Sequence, residues 1–200
     1  MKDSFSAIER PLVGPYRRGF AWVSGPLVAA LMALHVSPNA VSLAQIGIGA
    51  VIILVLGTAP WLGFLLMLFA MFVDSLDGAL ARAYGRSSPF GALVDQCADH
   101  VREAMVIAGL ALHAGLHPVV AVLYPLVQAG FNLLLLLCNQ RDVPAPWAVK
   151  SYLTFYPAFF LYAFFGVNWL TAGVAIAEGF MLVTIAIALR RLRPVMDAAV

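Results

Sequence analysis

Asp74, Asp77, Asp95 and Asp99 place four of the chain's ten acidic residues within 26 positions, DSLDGALARAYGRSSPFGALVDQCAD. The surrounding sequence is strongly apolar. Carboxylates buried in such a setting are costly unless a counter-charge offsets them. The economical counter-charge is a divalent cation, held by hard oxygen ligands beneath a phosphate-bearing substrate.

Spacing supports convergence of the four groups. Asp74, Asp77, Gly78 and Ala81 fall at i, i+3, i+4 and i+7, one face of a helix, and Gly91, Asp95 and Asp99 fall at i, i+4 and i+8, one face of a second. Gly85-Arg86-Ser87-Ser88-Pro89 between them has the composition of a turn. In an antiparallel hairpin about that turn, Asp74 and Asp99 each lie on the order of 15 Å from its edges, and Asp77 and Asp95 on the order of 10 Å. Gly78 and Ala81 leave room on the same face for a ligand to approach the backbone.

The pattern D-x2-D-G-x2-A-R-x8-G-x3-D-x3-D, residues 74–99, resembles the signature of the CDP-alcohol phosphatidyltransferase family. Ser37-Pro38-Asn39-Ala40-Val41-Ser42 is similar to a Pro-Asn-x-x-Thr/Ser stretch before the first span of such enzymes. The resemblance implies transfer of a phosphatidyl group from CDP-diacylglycerol to a small polar alcohol, with release of CMP. It also implies one or two Mg²⁺ or Mn²⁺ ions on Asp74, Asp77, Asp95 and Asp99, with Asp99 as general base toward the acceptor hydroxyl. Gly78, Ala81 and Arg82 would line the nucleotide side, joined by Ser88, Asn39 and Ser42. Ser88 reads equally as a plain turn residue and Ser42 as a helix N-terminal hydroxyl. By resemblance the partners are the two substrates, membrane lipids and a second copy in a homodimer.

Composition sets the frame. Of 200 residues, 62% are apolar and 11% charged, and the mean hydropathy is +0.92. Such a chain is an integral membrane protein rather than a soluble domain. A net charge of +2 marks no nucleic-acid surface, and none is expected as a partner. Two cysteines make no disulfide framework, and Cys97 is expected to be a small buried side chain pointing off the carboxylate face. The N-terminal residues lack the apolar core of a signal peptide.

Apolar stretches bounded by turn signals predict an all-α polytopic fold of one domain, 1–200. Six spans fall at about 40–57, 60–83, 90–114, 118–138, 149–166 and 168–189, forming a six-helix core over 38–200. Residues 1–37 form the interfacial region, an amphipathic helix holding Arg17, Arg18 and Trp22 at headgroup depth, with a short extra span as the competing possibility. Lys and Arg precede the first span, follow the last, and occupy the 83–90 and 139–150 loops, while the three opposite loops carry none. Both termini and the aspartates are therefore expected on the cytoplasmic face, in a prokaryotic inner membrane.

The remaining polar residues leave alternatives open. Arg102 either orients a carboxylate, binds an acceptor phosphate or pairs structurally. Arg141, Lys150 and Arg190 suit an anionic acceptor such as glycerol 3-phosphate or an inositol phosphate, and suit topology-setting charge as well. Glu178 lies mid-span with no partner evident in the sequence. Competing functions are a CDP-choline or CDP-ethanolamine phosphotransferase acting on diacylglycerol, an intramembrane prenyltransferase and a divalent-cation transporter. A prenyltransferase needs two distant aspartate motifs, and a transporter leaves the Gly78, Ala81, Arg82 and Gly91 spacing without a purpose.

Overall fold

Four helices begin at a proline, where the missing N–H is no loss and the fixed φ suits the first turn: α2 (Pro38–Leu56), α3 (Pro60–Ala83), α4 (Pro89–His113) and α5 (Pro118–Gln140). They are preceded by α1 (Arg10–Ala33) and followed by α6 (Phe155–Phe165) and α7 (Leu170–Asp197). The computed structural model describes residues 10–144 and 153–197, without the side chains of 10–13 and 15–18, so Arg17, Arg18 and Lys150 lie outside the described side chains. Among the described residues the chain is all-helical. Four of its helices, α2, α3, α5 and α7, are long and apolar enough to cross a membrane. α4 has the length but carries Asp95, Asp99, Arg102 and Glu103, and α6 extends for 11 residues.

The expected boundaries of the first four spans lie within about two residues of α2 to α5, because each is marked by a proline start and a polar or glycine stop. α7 differs. It continues to Asp197 through Arg190, Arg191 and Arg193, since hydropathy ends where the apolar layer would end but backbone hydrogen bonding does not. The expected span at 149–166 is described as helix only from Phe155.

The chain packs as two compact units, Pro15–Gly115 and the residues from Leu116 onward. In the first, α2 is the shared wall. Its partner α3 runs antiparallel to it, with Ser42 opposite Asp77 and Gln45 opposite Asp74. α4 runs parallel to α2 at close range. A Cβ on Gly49 would lie 3.3 Å from the Arg102 Cα, and one on Gly109 would lie 3.3 Å from the Ile53 Cα and 2.7 Å from Leu56 Cδ1. Farther along, Gly57 meets the His113 ring in the same register. α3 and α4 barely approach each other. The arms of the expected hairpin are antiparallel, with little direct packing between them, each leaning on α2.

α3 ends in a Schellman turn, with Arg86 N–H donating to Ala81 O at 2.9 Å and Gly85 at φ 63° supplying the left-handed residue. α1 follows α3 in the same direction. The Phe20 ring lies 5.5 Å from Phe72, tilted by 56°, and Tyr84 Oη donates to Met32 O at 3.4 Å, twelve residues farther along both helices.

In the second unit α5 and α7 run parallel, from His117 N–H donating to Thr171 Oγ1 at 3.1 Å to a cluster of Cys138, Ala188 and Leu192. α6 closes on α7 where Gly173 leaves space, since a Cβ there would lie 2.6 Å from the Ala158 Cβ. Phe155 packs between Tyr124 and Phe159, all three fully buried.

Gly109→Val should lower the midpoint of thermal unfolding in detergent, at a cost of about 1–3 kcal/mol, by prising α4 from α2. Gly47, on the open side of α2 with no atom within 4 Å of a Cβ, is the control. Gly47→Ala should be neutral or stabilising by up to about 1 kcal/mol.

Candidate active site

Each aspartate is positioned by helical periodicity, and the two helices meet in two layers. Asp77 pairs with Asp95 in one layer and Asp74 with Asp99 in the next, as depth-matching across the turn predicts. Carboxylate oxygens of Asp74, Asp95 and Asp99 all lie within 4.8 Å of one another. Asp77 is 5% exposed, while the other three are half-buried.

α2 supplies a neutral polar partner to each layer. Ser42, 2% exposed, donates to Asp77 Oδ2 at 2.5 Å and also lies 3.3 Å from Pro38 O. Gln45, fully buried, donates from Nε2 to Asp74 Oδ1 at 3.3 Å, and its Oε1 accepts from Arg102 Nη1. That same Arg102 nitrogen lies 2.6 Å from Asp99 Oδ1. Arg102 is thus paired with a carboxylate of the site and with Gln45. Gln45 was not anticipated. The available signal was a lone glutamine on the Ser42, Gln45, Gly49 face of an otherwise apolar span.

A cleft of about 370 Å³ opens beside the first layer. Asp77 and Asp95, Arg82 and Arg86, and Gly78, Ala81 and Gly91 all line it. The starts of α2 and α4 complete it, through Asn39 and Ser42 on one side and Ser87 and Ser88 on the other. Every nucleotide-side residue expected from the sequence thus lines one space. Ser88 is engaged as an N-cap, accepting from Gly91 N–H at 3.0 Å, so it is both turn residue and wall. The Arg82 guanidinium folds over Gly78, where a Cβ would lie 3.2 Å from Nη1.

The donor set suits a hard divalent cation. Among the described residues Asp95 Oδ1 and Asp99 Oδ1 are buried without a hydrogen-bond partner, Arg102 approaching the latter outside hydrogen-bonding alignment. Buried carboxylate oxygens left in that state are stabilised by a cation. Two helix N-termini and two guanidiniums, lining the same cleft as the carboxylates, favour a phosphate there.

Other expected residues lie elsewhere. Arg141 closes α5 and Arg190 sits on α7, both exposed and both in the second unit; Lys150 is outside the described residues. Glu178 is buried in α7, its Oε1 without a hydrogen-bond partner among the described residues. Cys97 is exposed, not buried as expected, because it points away from the α2-facing side of α4. His100 has no place in the carboxylate pairs.

The sequence pattern described as CDP-alcohol phosphatidyltransferase matches residues 35–192. A phosphatidylinositol phosphate synthase of Mycobacteroides abscessus is 39% identical over 99 residues, 47% of this chain and 44% of that protein. The enzyme of the same name from Cutibacterium acnes is 35% identical over 102 residues, 49% of this chain and 48% of its own. An archaetidylinositol phosphate synthase of Aeropyrum pernix is 31% identical over 99 residues, 48% and 50% of the two chains. The match spans about half the length of these relatives. The crystal structure of Mycobacterium tuberculosis phosphatidylinositol phosphate synthase with CDP-DAG bound shares the fold, with a TM-score of 0.71 at 20% identity, over 88% of this chain and 94% of that one. The same enzyme in complex with manganese and citrate gives 0.67 at 17% identity, over 86% and 88%.

Adding Mn²⁺ to metal-stripped protein in detergent should raise the unfolding midpoint, by an amount equivalent to about 2.7 kcal/mol at a hundredfold excess over Kd. Asp95→Asn combined with Asp99→Asn should abolish the metal-dependent rise. A rise of equal size in the double variant would place the ion elsewhere.

Proposed function

The chain belongs to the CDP-alcohol phosphatidyltransferase family, and on that premise we propose that it transfers a phosphatidyl group from CDP-diacylglycerol to the hydroxyl of a phosphorylated polyol of the inositol phosphate kind. The observation that carries this is the two-signed cleft, lined by Asp77 and Asp95 together with Arg82 and Arg86 and by the starts of α2 and α4. A diphosphate bridging a bound cation and the guanidiniums satisfies both. The names of the similar synthases favour an inositol phosphate over glycerol 3-phosphate as acceptor.

In this proposal Asp74, Asp77, Asp95 and Asp99 hold one or two Mg²⁺ or Mn²⁺ ions. A divalent ion so held neutralises the diphosphate and the charge that grows on the leaving group. Arg82 binds a phosphate oxygen, and Gly78 and Ala81 let the nucleotide lie against α3. The acceptor oxygen attacks the phosphatidyl phosphorus, its proton passes to a carboxylate oxygen of Asp99, and the bond to CMP breaks with its electron pair leaving on CMP. Ser42 keeps Asp77 turned toward the cleft, and Asn39 and Ser88 border the nucleotide. Arg141, Lys150 and Arg190 are the proposed contacts for the acceptor's phosphate.

The distribution of Lys and Arg supports six spans with the cleft and both termini on the cytoplasmic side. A homodimer follows from the family resemblance, and the mass of the detergent-solubilised protein by light scattering checks it.

The deciding experiment is CMP release by the purified chain in detergent, with Mg²⁺ or Mn²⁺, CDP-diacylglycerol and a panel of acceptors. Release should require metal and an inositol phosphate, and Asp99→Asn should slow it about 10²- to 10⁴-fold. Reaction only of CDP-choline or CDP-ethanolamine with diacylglycerol would move the protein to the other branch of the family. Metal binding without turnover of any donor would favour cation transport.

A further inference from the structure

The α2 wall carries a side chain that touches neither the cleft nor any expected substrate group, yet links the two helices bearing the carboxylates. Gln45 is fully buried, and both ends of its amide are engaged. Nε2 donates to Asp74 on α3 and Oε1 accepts from Arg102 on α4. The Arg102 nitrogen that meets Gln45 is the one 2.6 Å from Asp99 Oδ1. The result is a chain of contacts, Asp74 to Gln45 to Arg102 to Asp99, running behind one carboxylate pair.

We propose that Gln45 is a positioning residue that sets the metal affinity of the Asp74–Asp99 pair by orienting both carboxylates from behind. This rests on the metal role proposed for the four aspartates. α3 and α4 barely touch, so helix packing alone does not hold Asp74 opposite Asp99. Gln45 spans that separation from the helix both lean on.

The residue type fits the task. A primary amide donates at one end and accepts at the other, so one neutral side chain serves a carboxylate and a guanidinium together. Glutamate would add a fifth negative charge beside Asp74 and lose the donor. Lysine would bring a competing cation to the metal ligands and lose the acceptor. A neutral linker leaves the charge of the pair to the ion. Partners behind metal-ligating groups are typically worth about 10- to 100-fold in affinity. Ser42 plays the matching part for Asp77, but with a single contact to one helix.

The test is Mn²⁺ binding by titration calorimetry and electron paramagnetic resonance, on the full chain in detergent. Two variants are compared with the wild type. Gln45→Met keeps the volume and removes both contacts; Gln45→Asn keeps the amide but shortens its reach. Both should weaken Mn²⁺ binding about tenfold or more and change the spectrum of the bound ion. At saturating Mn²⁺ the KM for CDP-diacylglycerol should move little. Should Gln45→Met not fold, Gln45→Asn carries the test, because it leaves no apolar group beside Arg102. Unchanged affinity and spectrum in a folded variant overturn the proposal while leaving the aspartate site intact. A wild type that binds no Mn²⁺ overturns the aspartate site and this inference with it.

Discussion

Four carboxylates must share a small volume inside an apolar protein, and the first unit is arranged around that constraint. Each buried charge costs several kcal/mol to desolvate, and neighbouring like charges add repulsion. The chain places two on α3 and two on α4, then keeps those helices apart instead of packing them together. Separation gives an ion and a substrate somewhere to sit. It also removes the ordinary means of holding a site in register, the direct packing of the elements that carry it.

α2 takes over that function. It packs antiparallel to α3 and parallel to α4, and it presents Ser42 and Gln45 three residues apart, one to each carboxylate layer. For those short side chains to reach, α2 must lie close to both neighbours. Gly49 and Gly109 permit this for α4, since a Cβ added at either would lie 3.3 Å from a backbone atom of the facing helix. The glycines of the wall and the polar groups of the site are therefore parts of one solution. Interhelical contact in a membrane is driven by close packing and hydrogen bonds because the lipid is as apolar as the side chains.

The cleft's opposite sign comes from the local rules that start helices. α2 and α4 both open with Ser-Pro, and each serine caps its helix by accepting an N–H three residues on, from Ala40 and Gly91. The same turns bring two positive helix ends to one space. Arg82 and Arg86, at the close of α3, complete the wall where Gly85 turns the chain. The residues that start the helices thus also line the cleft, which is why Ser88 belongs to both.

Much of this was legible in the sequence by itself. Helical periodicity placed Asp74 and Asp77 on one face and Asp95 and Asp99 on another. Rise per residue then matched them in the pairs the structure shows, because both quantities depend on backbone geometry alone. Proline and serine marked the helix starts, since capping is local. What tertiary structure decided was the helix between. The sequence paired the carboxylates of α3 and α4 but did not show that both helices lean on α2, whose polar contacts are with residues 29 to 57 positions away. Gln45 gained its partners only by that arrangement, and Cys97 faced outward for the same reason. A periodic pattern states which residues share a face; packing decides what the face meets.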